Sequence, residues 1–372
     1  MDPRPIPPQA VPATAGARPP PARAASTAPR HVAAIRQRLR DAGAKPCHEQ
    51  AVLRAWMQGQ PLAAGARPAE DFLPRGVRDA LPGLAAELDG LVRVHAEHAG
   101  SDGSARLLVE LADGLTVESV LLPRAGLCVS TQVGCAVGCV FCMTGRDGLQ
   151  RQLGSAEIVA QVVRARTRRA VGKVVFMGMG EPAHNLDSVM EAIELLGTEG
   201  AVGHKNLVFS TVGDCRVFER LPQGPVKPAL ALSLHSTFAP RRAALLPHAA
   251  RIDPAELVEQ GERYARATGY PIQYQWTLLE GVNDGDDELE RIVLLLAGKY
   301  AVMNLIPYNM VAGLGFRRPA WERAADMARR LCARGVLAKL RQSAGQDVDA
   351  GCGQLRARAI APAAVRFEAR AR

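Results

Sequence analysis

Beyond Leu127 short apolar runs alternate with helical stretches, and this alternation restricts the possible folds more than any other feature of the 372-residue sequence. KVVFM (173–177), NLVFS (206–210), ALALSL (229–234), IQYQWTL (272–278), VMNLI (302–306) and VLAKLR (336–341) read as strands. SAEIVAQVVRARTRR and PAELVEQGERYARATG, among others, supply helices between them. Parallel neighbours need such crossovers, so the pattern predicts an α/β fold with a parallel sheet curled into a barrel or partial barrel. Chemistry then belongs at the C-terminal strand ends. Polar residues gather there: Gly178, Gly180 and Glu181 follow KVVFM, Ser210 and Thr211 end NLVF, Ser233 and His235 end ALAL, and Asn309 follows NLIPY. Strands that end alike in this way predict one ligand site above the barrel mouth.

The remainder divides around that core, which runs over 128–358. Residues 1–30 form a Pro/Ala/Arg-rich tail with no hydrophobic period and are expected to be disordered. A helical pattern from His31 to Ala96 predicts a small helical domain over 31–100. Over 101–127, ARLLVELA and LTVESVLLP flank Asp113-Gly114, a strong hairpin signal. Residues 359–372 form a basic C-terminal tail. The net charge of +9 suits a polyanionic partner, although many basic proteins have none. No apolar run approaches the roughly 18 residues of a membrane span.

Eight cysteines in a long chain without a signal peptide point to metal binding or chemistry in a reducing, cytoplasmic setting. Cys135, Cys139 and Cys142 form C-x3-C-x2-C in a loop after the first barrel strand. Three thiolates can hold three irons of a [4Fe–4S] cluster and leave the fourth open to the amino and carboxylate groups of S-adenosylmethionine. A structural zinc site is the alternative; it needs a fourth ligand, which His184, His235 or a distant cysteine could supply. Gly178-Met179-Gly180-Glu181-Pro182 follows the next strand, where glycines permit close backbone approach and Glu181 can accept from an ammonium.

CVSTQVGCAVGCVFCMTG, FMGMGEP, SLHS, EGVND, NLIPYN and DVDAGCGQL, in this order, resemble the RlmN/Cfr family of radical S-adenosylmethionine RNA methyltransferases. The similarity runs from about Leu107 to Leu355. It implies a radical SAM (β/α)6 partial TIM barrel and methylation of an adenine ring carbon through a methyl-cysteine. By this resemblance Cys352 carries the methyl group, and Cys128 resolves a protein–RNA adduct by forming a disulfide with it. Glu118 matches the family's proton acceptor, and Gly180, Glu181, Ser210, Ser233, Leu234, His235 and Asn309 match its S-adenosylmethionine contacts. The helical domain would assist RNA binding, and an electron donor such as flavodoxin or ferredoxin would serve a monomeric enzyme. Cys47, Cys215 and Cys332 match no family role and are expected to be structural.

The target is less sharply marked. The leading expectation is C2 of a 23S ribosomal adenine. Against it, SLHST and SAGQD stand where the C2 enzymes read SLHAP and TRGDD, and the connection from Pro123 to Cys128 is short. The SLHS form and that short connection lean toward C8, whereas the proline of NLIPYN leans back toward C2, and transfer RNA or another substrate stays open. Arg164, Arg166, Arg168 and Arg169, and later Arg317, Arg318, Arg329 and Arg330, are either RNA contacts or solvated helix faces. Trp56, Trp276 and Trp321 are expected in the core, with base stacking as the alternative.

Overall fold

The computed structural model describes residues 28–311 and 313–357. The proline-rich tail, apart from residues 28–30, and the basic tail over 359–372 lie outside the described residues. The chain opens with helices α1 (Val32–Asp41), α2 (Pro46–Met57), α3 (Ala69–Phe72) and α4 (Arg75–Gly90). Val32, Ile35 and Leu39 fall on one face of α1 and join an apolar cluster that continues through Val52, Leu53 and Leu84 into the sheet. The N-terminal helices thus share the main core.

The helical reading to Ala96 is corrected at its end, because β1 (Val92–Ala99) is a strand. VRVHAEHA has a period of two, with Val92, Val94, Ala96 and His98 more buried than their neighbours. β2 (Ala105–Leu111) and β3 (Thr116–Leu122) form the expected hairpin, and β1 adds to it antiparallel. In its turn Asp113 Oδ1 accepts from Leu115 N at 3.0 Å, and Gly114 has φ +84°.

β4 (Gly126–Cys128) pairs antiparallel with β3 and so joins the hairpin to the parallel strands. A two-stranded ribbon, β5 (Gln132–Gly134) and β6 (Leu149–Gln152), brackets the cysteine loop. There follow α5 (Ser155–Arg166), β7 (Lys173–Phe176), α6 (Leu186–Gly197), β8 (Leu207–Thr211) and α7 (Cys215–Arg220). Then come β9 (Ala229–Ser233), α8 (Ala239–Leu245), α9 (Pro254–Thr268), β10 (Ile272–Leu278) and α10 (Asp286–Leu296). The last elements are β11 (Ala301–Pro307), α11 (Trp321–Ala333) and β12 (Ala338–Leu340). The ten-stranded sheet has the order β1-β2-β3-β4-β7-β8-β9-β10-β11-β12, parallel from β4 onward. This is the predicted α/β architecture: six strand–helix units, with β12 as a short further strand. Leu207, Val208 and Phe209 in β8 and Leu230, Ala231 and Leu232 in β9 are buried in unbroken runs, as a sheet covered on both faces requires.

The basic run at the end of α5 fastens elements together, although Arg168 is exposed. Arg164 donates to the carbonyls of Asp89 and Val92, Arg166 to those of Met57 and Gly200, and Arg169 to that of Gly103. Arg168 pairs with Glu97. Trp276 and Trp56 are core residues, whereas Trp321 is exposed.

After β12 the chain crosses the open side of the barrel. Gly345 N donates to Asp102 Oδ2 at 3.0 Å and Ser101 N to Asp347 Oδ2 at 2.8 Å, both in the β1–β2 loop. Polar contacts thereby join the two ends of an unclosed sheet. Among the described residues no helix is long and apolar enough to cross a membrane.

Candidate active site

The ends of β7 to β11 surround one pocket, to which Phe176, Ser210, Ser233, Thr277 and Ile306 contribute in strand order. Its roof is the loop between β5 and β6, with Cys135, Cys139 and Cys142 in the lining. Backbone geometry pinches that loop at its base. Gly134 has φ +78°, and a Cβ there would stand 2.0 Å from the carbonyl of Gly148. The segment through α8 clamps the loop from outside: Val140 N donates to Leu245 O at 3.1 Å, and His248 N to Val137 O at 3.2 Å. Val137 and Phe141 pack with Leu245, Leu246 and Tyr308 in a separate apolar cluster at the mouth.

The donor set suits a positively charged group. Burial pushes the Cys135 thiol up to about 12, and burial with the nearby Cys142 and Cys135 raises that of Cys139. Such thiols become thiolates when a cation coordinates them. Among the described residues no three His, Cys, Asp or Glu side chains converge on one point as ligands of a single ion. A cluster that takes each cysteine on a different iron needs no such convergence.

Gly178, Gly180 and Glu181 line the pocket beside the cysteines. Besides lining the pocket, the glycines permit a close contact within the protein. A Cβ on Gly178 would stand 2.7 Å from Val129 O and Ser130 Oγ, and one on Gly180 would stand 2.6 Å from the Gln132 side chain. They let the turn after β7 lie against the segment between β4 and β5. Glu181 is buried; Oε1 accepts from Ala183 N at 3.1 Å and Oε2 from Val212 N at 3.0 Å. Burial outweighs these bonds and pushes its carboxyl up to about 7.

Ser210, Ser233 and His235 also reach the pocket. His235 has φ +58°; Nδ1 accepts from Thr277 N at 3.0 Å, and its ring meets Phe141 edge-on at 4.9 Å. Burial, assisted by the charge on Arg242, lowers it to about 3, so the ring is neutral. Leu234 sends its side chain into the core and bonds Gln275 O through its N–H at 3.1 Å. Asn309 is buried outside the lining, with Nδ2 donating to Ser343 Oγ at 2.8 Å and to Cys352 O at 3.0 Å.

Cys352 lines the pocket and remains solvent-accessible. Cys128, buried at the end of β4 opposite Val175, has its thiol raised by burial first and by the neighbouring Cys352 second. All eight cysteines are free thiols, and Cys47, Cys215 and Cys332 are exposed elsewhere. Glu118 is not brought to the pocket. It is fully buried in β3, paired with Arg106.

The Radical SAM superfamily signature matches residues 129–296. A "Probable RNA methyltransferase" of Leptothrix cholodnii is 73% identical over 336 residues, covering 90% of this chain and 97% of that protein. A relative of the same description from Aromatoleum aromaticum is 76% identical over 331 residues, covering 89% and 93%. The crystal structure of a radical SAM methyltransferase from Sphaerobacter thermophilus shares 35% identity, with a TM-score of 0.75 and coverage of 88% and 98%. The chain belongs to the radical S-adenosylmethionine methyltransferases.

In this radical S-adenosylmethionine methyltransferase the pocket also has neighbours that the sequence reading did not single out. Gln275 and Thr277 line the pocket from β10. Their signal was present in IQYQWTL, where polar residues at every second position mark one face of the strand. Arg242 of α8 is buried and donates through Nη2 to Ser233 O at 3.3 Å and to Val212 O. Burial lowers it to about 10, against the attraction of Cys139 and Glu181, which places a cation beside the methyltransferase's cysteine loop.

Proposed function

We propose that this methyltransferase acts on RNA in the manner of the RlmN/Cfr family, placing a methyl group on an adenine ring carbon by way of Cys352. One observation carries the proposal: Cys352 lines the same pocket as the three loop cysteines, and the buried Cys128 thiol feels its charge. A structural zinc site could take Cys352 as its fourth ligand but has no use for Cys128, and among the described residues no three such side chains converge as ligands of one ion. The RNA substrate is supported by the description of the relatives and by the net charge of +9.

In this reading Cys135, Cys139 and Cys142 hold a [4Fe–4S] cluster, which when bound supplies the electron that cleaves S-adenosylmethionine to a 5′-deoxyadenosyl radical. Glu181 would face the ammonium of the cofactor, with Gly180, Ser210, Ser233 and His235 around it in the pocket. Leu234 and Asn309, matched to the same contacts, would act from behind the lining, Asn309 through the Cys352 segment that it holds. Cys352 would carry the transferred carbon as a thioether. Once one of its hydrogens has been removed, that carbon would bond the adenine ring carbon and so bridge Cys352 and the RNA. The ring carbon's own hydrogen leaves as a proton while the odd electron returns to the electron carrier. Cys128 attacks the Cys352 sulfur and breaks its bond to that carbon, which takes a proton to become the product methyl group. The two sulfurs are left as a disulfide, reduced before the next cycle. A flavodoxin or ferredoxin donates the electrons, and the 31–100 region assists RNA binding.

C2 of a 23S ribosomal adenine is the first target to test; the SLHS form and the short connection from Pro123 to Cys128 favour C8 as the second reading. Anaerobically reconstituted protein, given reductant, S-adenosylmethionine and ribosomal or transfer RNA, should release 5′-deoxyadenosine and yield methyladenosine, with the carbon assigned by mass spectrometry. A protein that binds zinc tightly and yields neither product would sink the proposal.

A further inference from the structure

The segment bearing Cys352 is tied to the β2–β3 hairpin by a carboxylate that does not line the pocket. Glu118 Oε2 accepts from two successive backbone N–H groups, Arg356 at 2.7 Å and Ala357 at 2.9 Å. Ala357 has φ +55°, the left-handed conformation that turns consecutive N–H groups toward one anion. Glu118 Oε1 pairs with Arg106, its β2 neighbour, and both side chains are almost wholly buried, at 0% and 3% exposure. A buried carboxylate needs such partners, and losing any of them leaves charge unsatisfied. The main chain of Glu118 is engaged as well, since Ser130 Oγ donates to its carbonyl at 2.5 Å and accepts from Met179 N at 2.8 Å. One residue therefore links the hairpin, the turn after β7 and the C-terminal segment.

Between this anchor and the Cys352 carbonyl held by Asn309 lie only residues 353–355. Gly353 O accepts from Met143 N at 2.8 Å, and Leu355 O from Thr144 Oγ1 at 2.8 Å, next to the cysteine loop. Gly351 and Gly353 flank Cys352 and give its backbone freedom, which these anchors and the local turn between Gly351 and Gln354 restrict.

We infer that Glu118, with Arg106, is a positioning residue that holds the C-terminal end of the Cys352 segment and thereby sets where the Cys352 thiol stands relative to Cys128. It acts through two backbone N–H groups rather than on the substrate. The catalytic consequence rests on Cys352 being the methyl carrier; the anchoring itself does not.

The test uses the full-length protein with Glu118→Gln, and separately Ala357→Pro. The second variant removes a donor N–H and the left-handed conformation while leaving Glu118 and Arg106 in place. Readouts are peptide-resolved hydrogen exchange and the rate of Cys352 alkylation by N-ethylmaleimide. Both variants should raise exchange over 350–357 and speed Cys352 alkylation about tenfold, the loss of roughly one charge-assisted hydrogen bond. Exchange in β7 to β10 should stay as in the unmodified protein. Wild-type exchange and alkylation in the proline variant would overturn the inference, even if Glu118→Gln fails to fold. A role confined to proton acceptance would leave both readouts unchanged in Glu118→Gln while methylation fails. Should Cys352→Ala methylate normally, the methyl-cysteine reading fails while the exchange result stands.

Discussion

The side-chain amide of Asn309 donates to the main-chain carbonyl of Cys352 at 3.0 Å, tying the end of β11 to the segment that bears the accessible thiol. Arg318 Nη2 meets Asn309 Oδ1 at 3.4 Å and orients that amide, while Arg318 Nε donates to Tyr308 O at 2.7 Å. A residue matched to cofactor binding is thus engaged by the protein's own C-terminal segment. Asn309→Ala leaves the Cys352 carbonyl and the Ser343 hydroxyl without this donor. It should cost about 1–3 kcal/mol in urea unfolding and accelerate Cys352 alkylation. Unchanged values on both counts would show that the bond holds nothing.

Cys128 and Cys352 should separate cleanly by mutation. With Cys128→Ala the adduct has no resolving thiol, so a covalent protein–RNA species should accumulate on denaturing gels. Cys352→Ala should give none. Normal methylation by both variants would rule out the thioether route.

The neutral His235 predicts a pH dependence of stability with a definite sign. Its folded value of about 3 lies below the ordinary 6.5, so the unfolded chain binds a proton that the folded chain refuses. Its contribution is complete above pH 6.5 and is lost as pH falls through the window toward 3, by at most about 1.4 kcal/mol per unit. His235→Asn tolerates the left-handed backbone and removes this contribution. Urea unfolding at pH 7, 6 and 5 should show a shallower loss in the variant; equal slopes would contradict the buried, neutral ring.

Gly178→Ala tests the packing of the turn after β7. Its Cβ would press on Val129 O and Ser130 Oγ at 2.7 Å, so a loss of about 1–3 kcal/mol is expected, with weaker S-adenosylmethionine binding by equilibrium dialysis. Gly172→Ala is the control, because nothing stands within 4 Å of its Cβ. Equal effects from the two substitutions would refute the steric account.

Much of this was legible before any coordinates. Strand–helix alternation announced the parallel sheet because each period is a local property of a few side chains. C-x3-C-x2-C and the GMGEP turn announced the pocket for the same reason. The reading failed at β1, where a helical habit was carried past Gly90 into a run whose period had changed to two. It also left the arginines of α5 undecided, since a guanidinium that meets solvent and one that meets a carbonyl look alike in sequence.

The sequence by itself determined the class of fold, the strand ends that carry the chemistry and the three cysteines of the loop. Only the tertiary structure decided which distant groups became partners: Arg242 beside the cysteine loop, Asn309 with the carbonyl of Cys352, and Glu118 with the N–H of Arg356, 238 residues later. The reason is physical. Propensity and period act over a few residues, whereas a buried charge or thiol finds its partner only where the folded chain returns to it.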